Sequence, residues 1–126
     1  MYLSDHLVVF SFSLESMSID LVPRVFLPLE RLDQEGLGDS FHPSAIEVHP
    51  ETRNMILVAA REEDLVELSS VGEIVETEKL KRKKHPQPEG IAFLPDGSLV
   101  LSDEGQGGAG RLTRYPLEAL EGGRAP

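Results

Sequence analysis

The chain has 126 residues, with 12 Lys+Arg against 22 Asp+Glu and a formal net charge of −10. That length allows one domain, and 40% hydrophobic with 27% charged content fits a globular chain and not a disordered one. The lack of cysteine excludes disulfides, thiolate zinc sites and a cysteine nucleophile, and the net acidity argues against nucleic acid, whose binders present basic surface.

No apolar run reaches the roughly 20 residues that a membrane-spanning helix needs. Met1–Leu14 has no basic n-region, so no cleavable signal is expected, and the chain as given reads as cytoplasmic. Tyr2-Leu3-Ser4-Asp5 matches the later Val100-Leu101-Ser102-Asp103. Leu7–Phe12 then takes the place of a third strand and Ser18–Val22 that of a fourth. Residues 28–40 form a connection in which Leu29, Leu32 and Leu37 allow one helical turn, ended by Gly36 and Gly38.

Two matching segments follow. Pro43-Ser44-Ala45-Ile46-Glu47-Val48-His49-Pro50 leads through Glu51–Asn54 into Met55–Ala60. Pro88-Glu89-Gly90-Ile91-Ala92-Phe93-Leu94-Pro95 leads through Asp96-Gly97 into Ser98–Asp103. Pro43 and Pro88, Ile46 and Ile91, and Pro50 and Pro95 all share one spacing, and the second turn reads two residues shorter. Ile46/Val48 and Ile91/Phe93 alternate at period two, as strand faces do. Asp96-Gly97 is a hairpin turn signal. Ile56–Ala59 and Leu99–Leu101 are apolar on both faces, as in strands buried between sheets. Leu65–Leu68 and Leu112–Tyr115 read as third strands, and Glu73–Glu76 as a fourth. Pro116–Leu120 suits a short helix or the start of another fourth strand.

Four-stranded units of roughly 40–45 residues are the mark of β-propeller blades. The expected fold is therefore all-β: a partial β-propeller of about two and a half to three four-stranded antiparallel blades. Residues 1–27 end one blade, 28–40 connect, 41–84 form a complete blade, 85–120 a partial last blade and 121–126 a tail. Closed propellers have four to eight blades. The expected stack leaves two open flanks and unpaired strand edges, which invite self-association.

Pro43-Ser44-Ala45-Ile46, Gln87-Pro88-Glu89-Gly90-Ile91-Ala92-Phe93 and Ser102-Asp103-Glu104-Gly105 together resemble the bacterial SdiA-regulated (YjiK-like) family, distantly similar to NHL-repeat proteins. The likeness runs from about Leu7 to Tyr115 and corresponds to the C-terminal half of a usual member. The resemblance implies a five-bladed propeller, a bound calcium ion, no established enzymatic role, and a place in the cell envelope or periplasm, attached to the membrane or exported. Two departures stand out. The early blades and any export segment are missing, and Ala45 replaces the usual glycine.

The resemblance and the expected topology nominate four metal ligands: Glu89 and Glu104 first, then Asp103 and Ser44. Glu89 begins an innermost strand. Asp103 and Glu104 end the next strand, before the Gly105–Gly110 loop, and Ser44 holds the place in its blade that Glu89 holds in the next. Calcium takes oxygen ligands from carboxylates, carbonyls and water. The bland alternative has Asp103 and Ser102 capping a turn and Glu89 accepting backbone N–H bonds.

Other signals are weaker. The glycine run has no phosphate-loop motif and reads as a mobile loop over the channel mouth. Lys79–His85 reads as a solvated interblade loop, with contact to anionic lipid or acidic polymer as the lesser alternative. His6, His42, His49 and His85 make no zinc spacing and read as surface or loop residues. No Gly-x-Ser-x-Gly elbow is present. Three functional readings stay open: a calcium-supported, non-catalytic binding or structural role; a metal-dependent hydrolase of lactones or phosphoesters, with Glu89 and Glu104 as ligands; and a lectin-like oligomer, disfavoured by the lack of Trp and only two Tyr. A small-molecule or envelope partner is not specified by any of them.

Overall fold

The computed structural model describes residues 5–116. The expected strand at Tyr2–Ser4, the element after Pro116 and the tail 121–126 lie outside the described residues. The rest is an all-β chain. Its strands are β1 His6–Val9, β2 Phe12–Ser13, β3 Ser18–Ile19, β4 Val25–Pro28, β5 Ala45–Val48, β6 Met55–Ala59, β7 Asp64–Leu68, β8 Ile74–Lys79, β9 Pro88–Phe93, β10 Leu99–Asp103 and β11 Arg111–Tyr115. One short helix, α1 at Leu29–Gln34, sits between β4 and β5.

The middle blade is a four-stranded antiparallel meander in the order β5-β6-β7-β8. The last blade carries three strands in the order β11-β10-β9. The first is a long hairpin in two ladders, β1 with β4 and β2 with β3. Between those ladders Asp20 N–H donates to Ser11 O at 2.9 Å and Arg24 N–H to Val9 O at 2.8 Å, keeping the two arms together. The fourth strand of this blade therefore runs on to Pro28 rather than ending near Val22.

Sheet alternation builds the core. Leu7, Val25 and Leu27 from the first blade meet Met55, Leu57, Ala59, Val66 and Leu68 from the middle blade, with Leu32, Leu37 and Phe41 of the connection closing the cluster. The opposite face of the middle blade sends Ile56, Val58 and Leu65 against Leu99, Leu101 and Tyr115 of the last. Burying each such aliphatic side chain is worth about 1.5–3 kcal/mol, so the blades hold one another by their faces. The first strands β5 and β9 also lie side by side. Ser44 ties them, its hydroxyl donating to Pro88 O at 2.8 Å.

Register corrects one sequence reading. Val48 pairs with Met55, and Phe93 with Leu99. The turn thus spans 49–54 in the middle blade and 94–98 in the last, one residue shorter and not two. A shift of one residue exchanges the two faces of a strand. Leu101 is accordingly the counterpart of Leu57, not of Val58.

The turn between β7 and β8 reaches across to the first blade. Gly72 has φ +87°, and a Cβ there would meet Val25 Cγ1 at 3.2 Å. Both the backbone and the space select glycine. Gly72→Ala is expected to lower unfolding free energy by at least about 1 kcal/mol, read as a shifted midpoint in urea denaturation.

Candidate functional site

Antiparallel alternation brings the starts of β5, β7, β9 and β11 and the ends of β6, β8 and β10 to one edge of the blade stack. Most of the charged chemistry lies there. Its centre is Asp103, whose residue is only 4% exposed at the end of β10. One carboxylate oxygen, Oδ2, lies 2.8 Å from His85 Nδ1. The other, Oδ1, accepts the Gln87 backbone N–H at 3.0 Å. His85 Nε2 lies 2.5 Å from the Tyr115 hydroxyl. This buried Asp–His–Tyr chain binds the connection before β9 to the ends of β10 and β11. The Lys84 ammonium stands 4.5 Å over the Tyr115 ring, a cation–π contact on the same residue.

Two exposed carboxylates sit on this buried support. The Gln87 side-chain amide donates to Glu89 Oε1 at 2.7 Å and to Glu104 Oε2 at 3.1 Å. The Glu104 backbone N–H donates to Gln87 O at 3.0 Å. The Gln106 amide in turn donates to Gln87 Oε1, which fastens the glycine loop to the pair. That loop is closed by a bond from Gly108 N–H to Gly105 O at 2.7 Å. A Cβ on Gly105 would come 2.1 Å from the Gly108 carbonyl oxygen, so only glycine fits.

The four nominated residues therefore part company. Glu89 and Glu104 converge on one amide nitrogen. Asp103 lies directly beneath them but turns both oxygens inward to His85 and Gln87. Ser44 is held away by backbone partners, donating to Pro88 O and Val58 O while accepting the Ala60 N–H at 3.2 Å. Among the described residues no group of three or more His, Asp or Glu side chains is arranged to hold a metal. Glu89 and Glu104 fit a hard cation as part of a shell, since the amide nitrogen between them marks a point that draws positive charge. Asp103 and Ser44 do not fit it, because their oxygens are already engaged.

His85 corrects the reading of the histidines as surface or loop residues, because its ring is fully buried. Gln87, Gln106 and Tyr115 were not nominated. Gln87 had a signal, since it opens the Gln-Pro-Glu-Gly segment. Tyr115 had none, being an ordinary strand aromatic in sequence.

A second acidic group occupies the equivalent edge of the middle blade. The Asp64 side chain is fully buried, and its oxygens take no well-formed hydrogen bond. Burial pushes its carboxyl above the usual range, and the Lys79 ammonium, 2.6 Å from Oδ1, pulls it back. Glu62 is engaged by the His42 backbone N–H at 3.0 Å and by the His42 ring, and its carboxyl is held below the usual range. Glu63 pairs with Arg82. The expected solvated basic run is thus only partly solvated: Leu80 and His85 are buried, Lys79 ends β8, and of the exposed residues 81–84 Arg82 pairs with Glu63 and Lys84 lies over Tyr115.

Two outcomes follow. Tyr115→Phe removes the partner of His85 Nε2 and should lower stability by about 1–3 kcal/mol, measured by chemical denaturation. Lys79→Met strands the buried Asp64 carboxylate and should cost at least about 2 kcal/mol near neutral pH. A carboxyl raised in the fold is tolerated below its unfolded pKa and penalised as pH rises through its folded pKa. The Lys79→Met defect should therefore be smaller at pH 4 than at pH 7 in paired thermal melts.

No curated protein matches the chain. A solved structure described as luciferin-regenerating enzyme is similar in fold, with a TM-score of 0.61 at 16% identity. The match covers 90% of this chain and 38% of that one, so the chain spans well under half the neighbour's length. The SdiA-regulated family model matches residues 26–120. That span includes both repeat copies and the Gln87–Glu89–Glu104 edge, and the chain belongs to the SdiA-regulated family.

Proposed function

We propose that this chain forms part of a ring propeller whose Glu89 and Glu104 hold a calcium ion in a non-catalytic, structural or binding role. The supporting observation is the single Gln87 amide nitrogen shared by the two carboxylates. Two carboxylates at one point repel, and a proton donor or a cation relieves them. Calcium requires roughly six to eight oxygen ligands, more than this pair supplies. Other blades of the ring would provide the remainder, in keeping with a chain that spans 38% of its fold neighbour. The ion's contribution would be charge neutralisation at the inner strand ends. The residues of this chain do the positioning: buried Asp103 fixes Gln87, and Gln87 sets the two glutamates.

The bacterial envelope is the setting that family membership suggests. The described residues include no helix long and apolar enough to cross a membrane.

Calcium titration monitored by thermal melting tests the reading. Calcium should raise the melting temperature, and chelator should reverse it. Glu89→Gln with Glu104→Gln should remove the response while leaving the calcium-free fold intact. An equal calcium response in that double variant would reject the site.

A further inference from the structure

The connection from β8 to β9 is the most basic part of an acidic chain: residues 79–85 hold five of the 12 Lys+Arg, against 22 Asp+Glu overall. It is also an ordered turn. Leu80 is buried, and its backbone N–H donates to Glu63 O at 2.7 Å. The Lys84 and His85 N–H groups both donate to Lys81 O, at 2.8 and 2.7 Å. The buried His85 ring closes the far end against Asp103 and Tyr115. Arg111, at the start of β11, reaches the turn from the last blade. It donates from Nη1 to Lys84 O at 3.0 Å and to Lys83 O at 3.4 Å. Two blades therefore hold residues 81–84 in one shape.

Carboxylates are in excess in this chain, yet those at the same edge are committed elsewhere. Glu63 pairs with Arg82, Asp64 with Lys79, and Asp103 with His85. Among the described residues the Lys81 and Lys83 side chains take no hydrogen bond or ion pair. Lys84 meets the neutral Tyr115 ring, and Arg111 meets only carbonyl oxygens. All four residues are exposed. Four cations thus share one turn, and none of them is paired with a carboxylate. Gathering like charges costs Coulomb energy, and an anion seated among them recovers it.

A guanidinium fork with ammonium groups beside it is the donor set that phosphate oxygens accept. The surroundings of the turn set the ligand's size. With so many of the bases concentrated here, the rest of the chain is strongly acidic. Such ground repels an extended polyanion, whether a nucleic acid or an anionic bilayer. A compact anion touches the turn alone. We propose that Lys81, Lys83, Lys84 and Arg111 form a binding site for a small soluble ligand bearing two or more phosphate charges. The site lies in the joint between the middle and last blades, and all its residues come from this chain. It uses neither calcium nor the paired glutamates, so it is tested in chelator.

Isothermal titration of the full chain with inorganic diphosphate at low ionic strength is the test. One site per chain is expected, with an affinity that falls as salt is added. Lys81→Gln with Lys83→Gln should weaken binding at least about tenfold, through the loss of two charge-assisted contacts. Arg111→Gln should weaken it as well. Arg53→Gln, in the turn at the opposite edge of the middle blade, should leave it unchanged. Thermal melts without ligand confirm that each variant folds. The lysine pair, whose side chains hold nothing within the protein, decides the matter if Arg111→Gln loosens the turn. Absence of diphosphate binding at millimolar concentration overturns the proposal. So does equal affinity in the lysine double variant, or equal weakening by Arg53→Gln. Binding to an oligonucleotide or to phosphatidylglycerol vesicles in place of diphosphate overturns it too. Loss of the calcium response in the melting experiment leaves this result untouched.

Discussion

Both oxygens of the Asp103 carboxylate are engaged within the protein, and the organisation of the last blade hangs on that fact. A buried carboxylate is stable only when its lone pairs meet donors. Here the donors come from the connection between blades: the His85 ring and the Gln87 backbone. The requirement to satisfy one acid thus brings the incoming chain onto the end of β10. Tyr115 extends the same demand to β11, because its hydroxyl meets the far nitrogen of His85. Two strands and a connection are fastened by one continuous polar chain. The exposed glutamates inherit their position from it. Gln87 is fixed by its backbone and so has a side chain free to span Glu89 and Glu104.

The middle blade meets the same need differently. Asp64 is as buried as Asp103, yet its charge partner is Lys79 from the neighbouring strand, with more than half of the lysine side chain exposed. A flexible ammonium in water compensates a buried charge less well than two fixed donors do. The upward pull on the Asp64 carboxyl expresses that difference. The two blades share a fold but not a degree of electrostatic satisfaction, and it is the better-satisfied edge that carries the paired carboxylates.

The blades were legible in the sequence because apolar alternation and the recurring Pro-x-x-Ile-x-x-x-Pro frame are local signals. Ile46 and Ile91 mark their strands without help from the rest of the chain. Register was not legible. Counting turn residues aligned Ile56 with Leu99, whereas the ladders pair Met55 and Leu99 with corresponding positions of the preceding strands. Hairpin geometry, and not residue count, sets which face a side chain takes. The candidate site was legible in the same partial way. Glu89 and Glu104 flank one amide, as strand ends on a shared edge can. Asp103 and His85 look exposed in sequence because both lie among polar neighbours. Their burial comes from finding each other across 18 positions, which no local pattern reports.

The unequal turns have a consequence for how such a chain can diverge. Residues 49–54 and 94–98 differ in length, and both lie at the end of the blades away from the paired glutamates. An insertion or deletion there leaves the strand ladders and the acidic edge in place. At the other end Gly105, Gln106 and Gln87 are bound into one hydrogen-bonded assembly, where a change of length would break several contacts together. The molecule therefore has a permissive rim and a restrictive one. Over generations of blade duplication, drift in length should collect on the first, while the second keeps its dimensions.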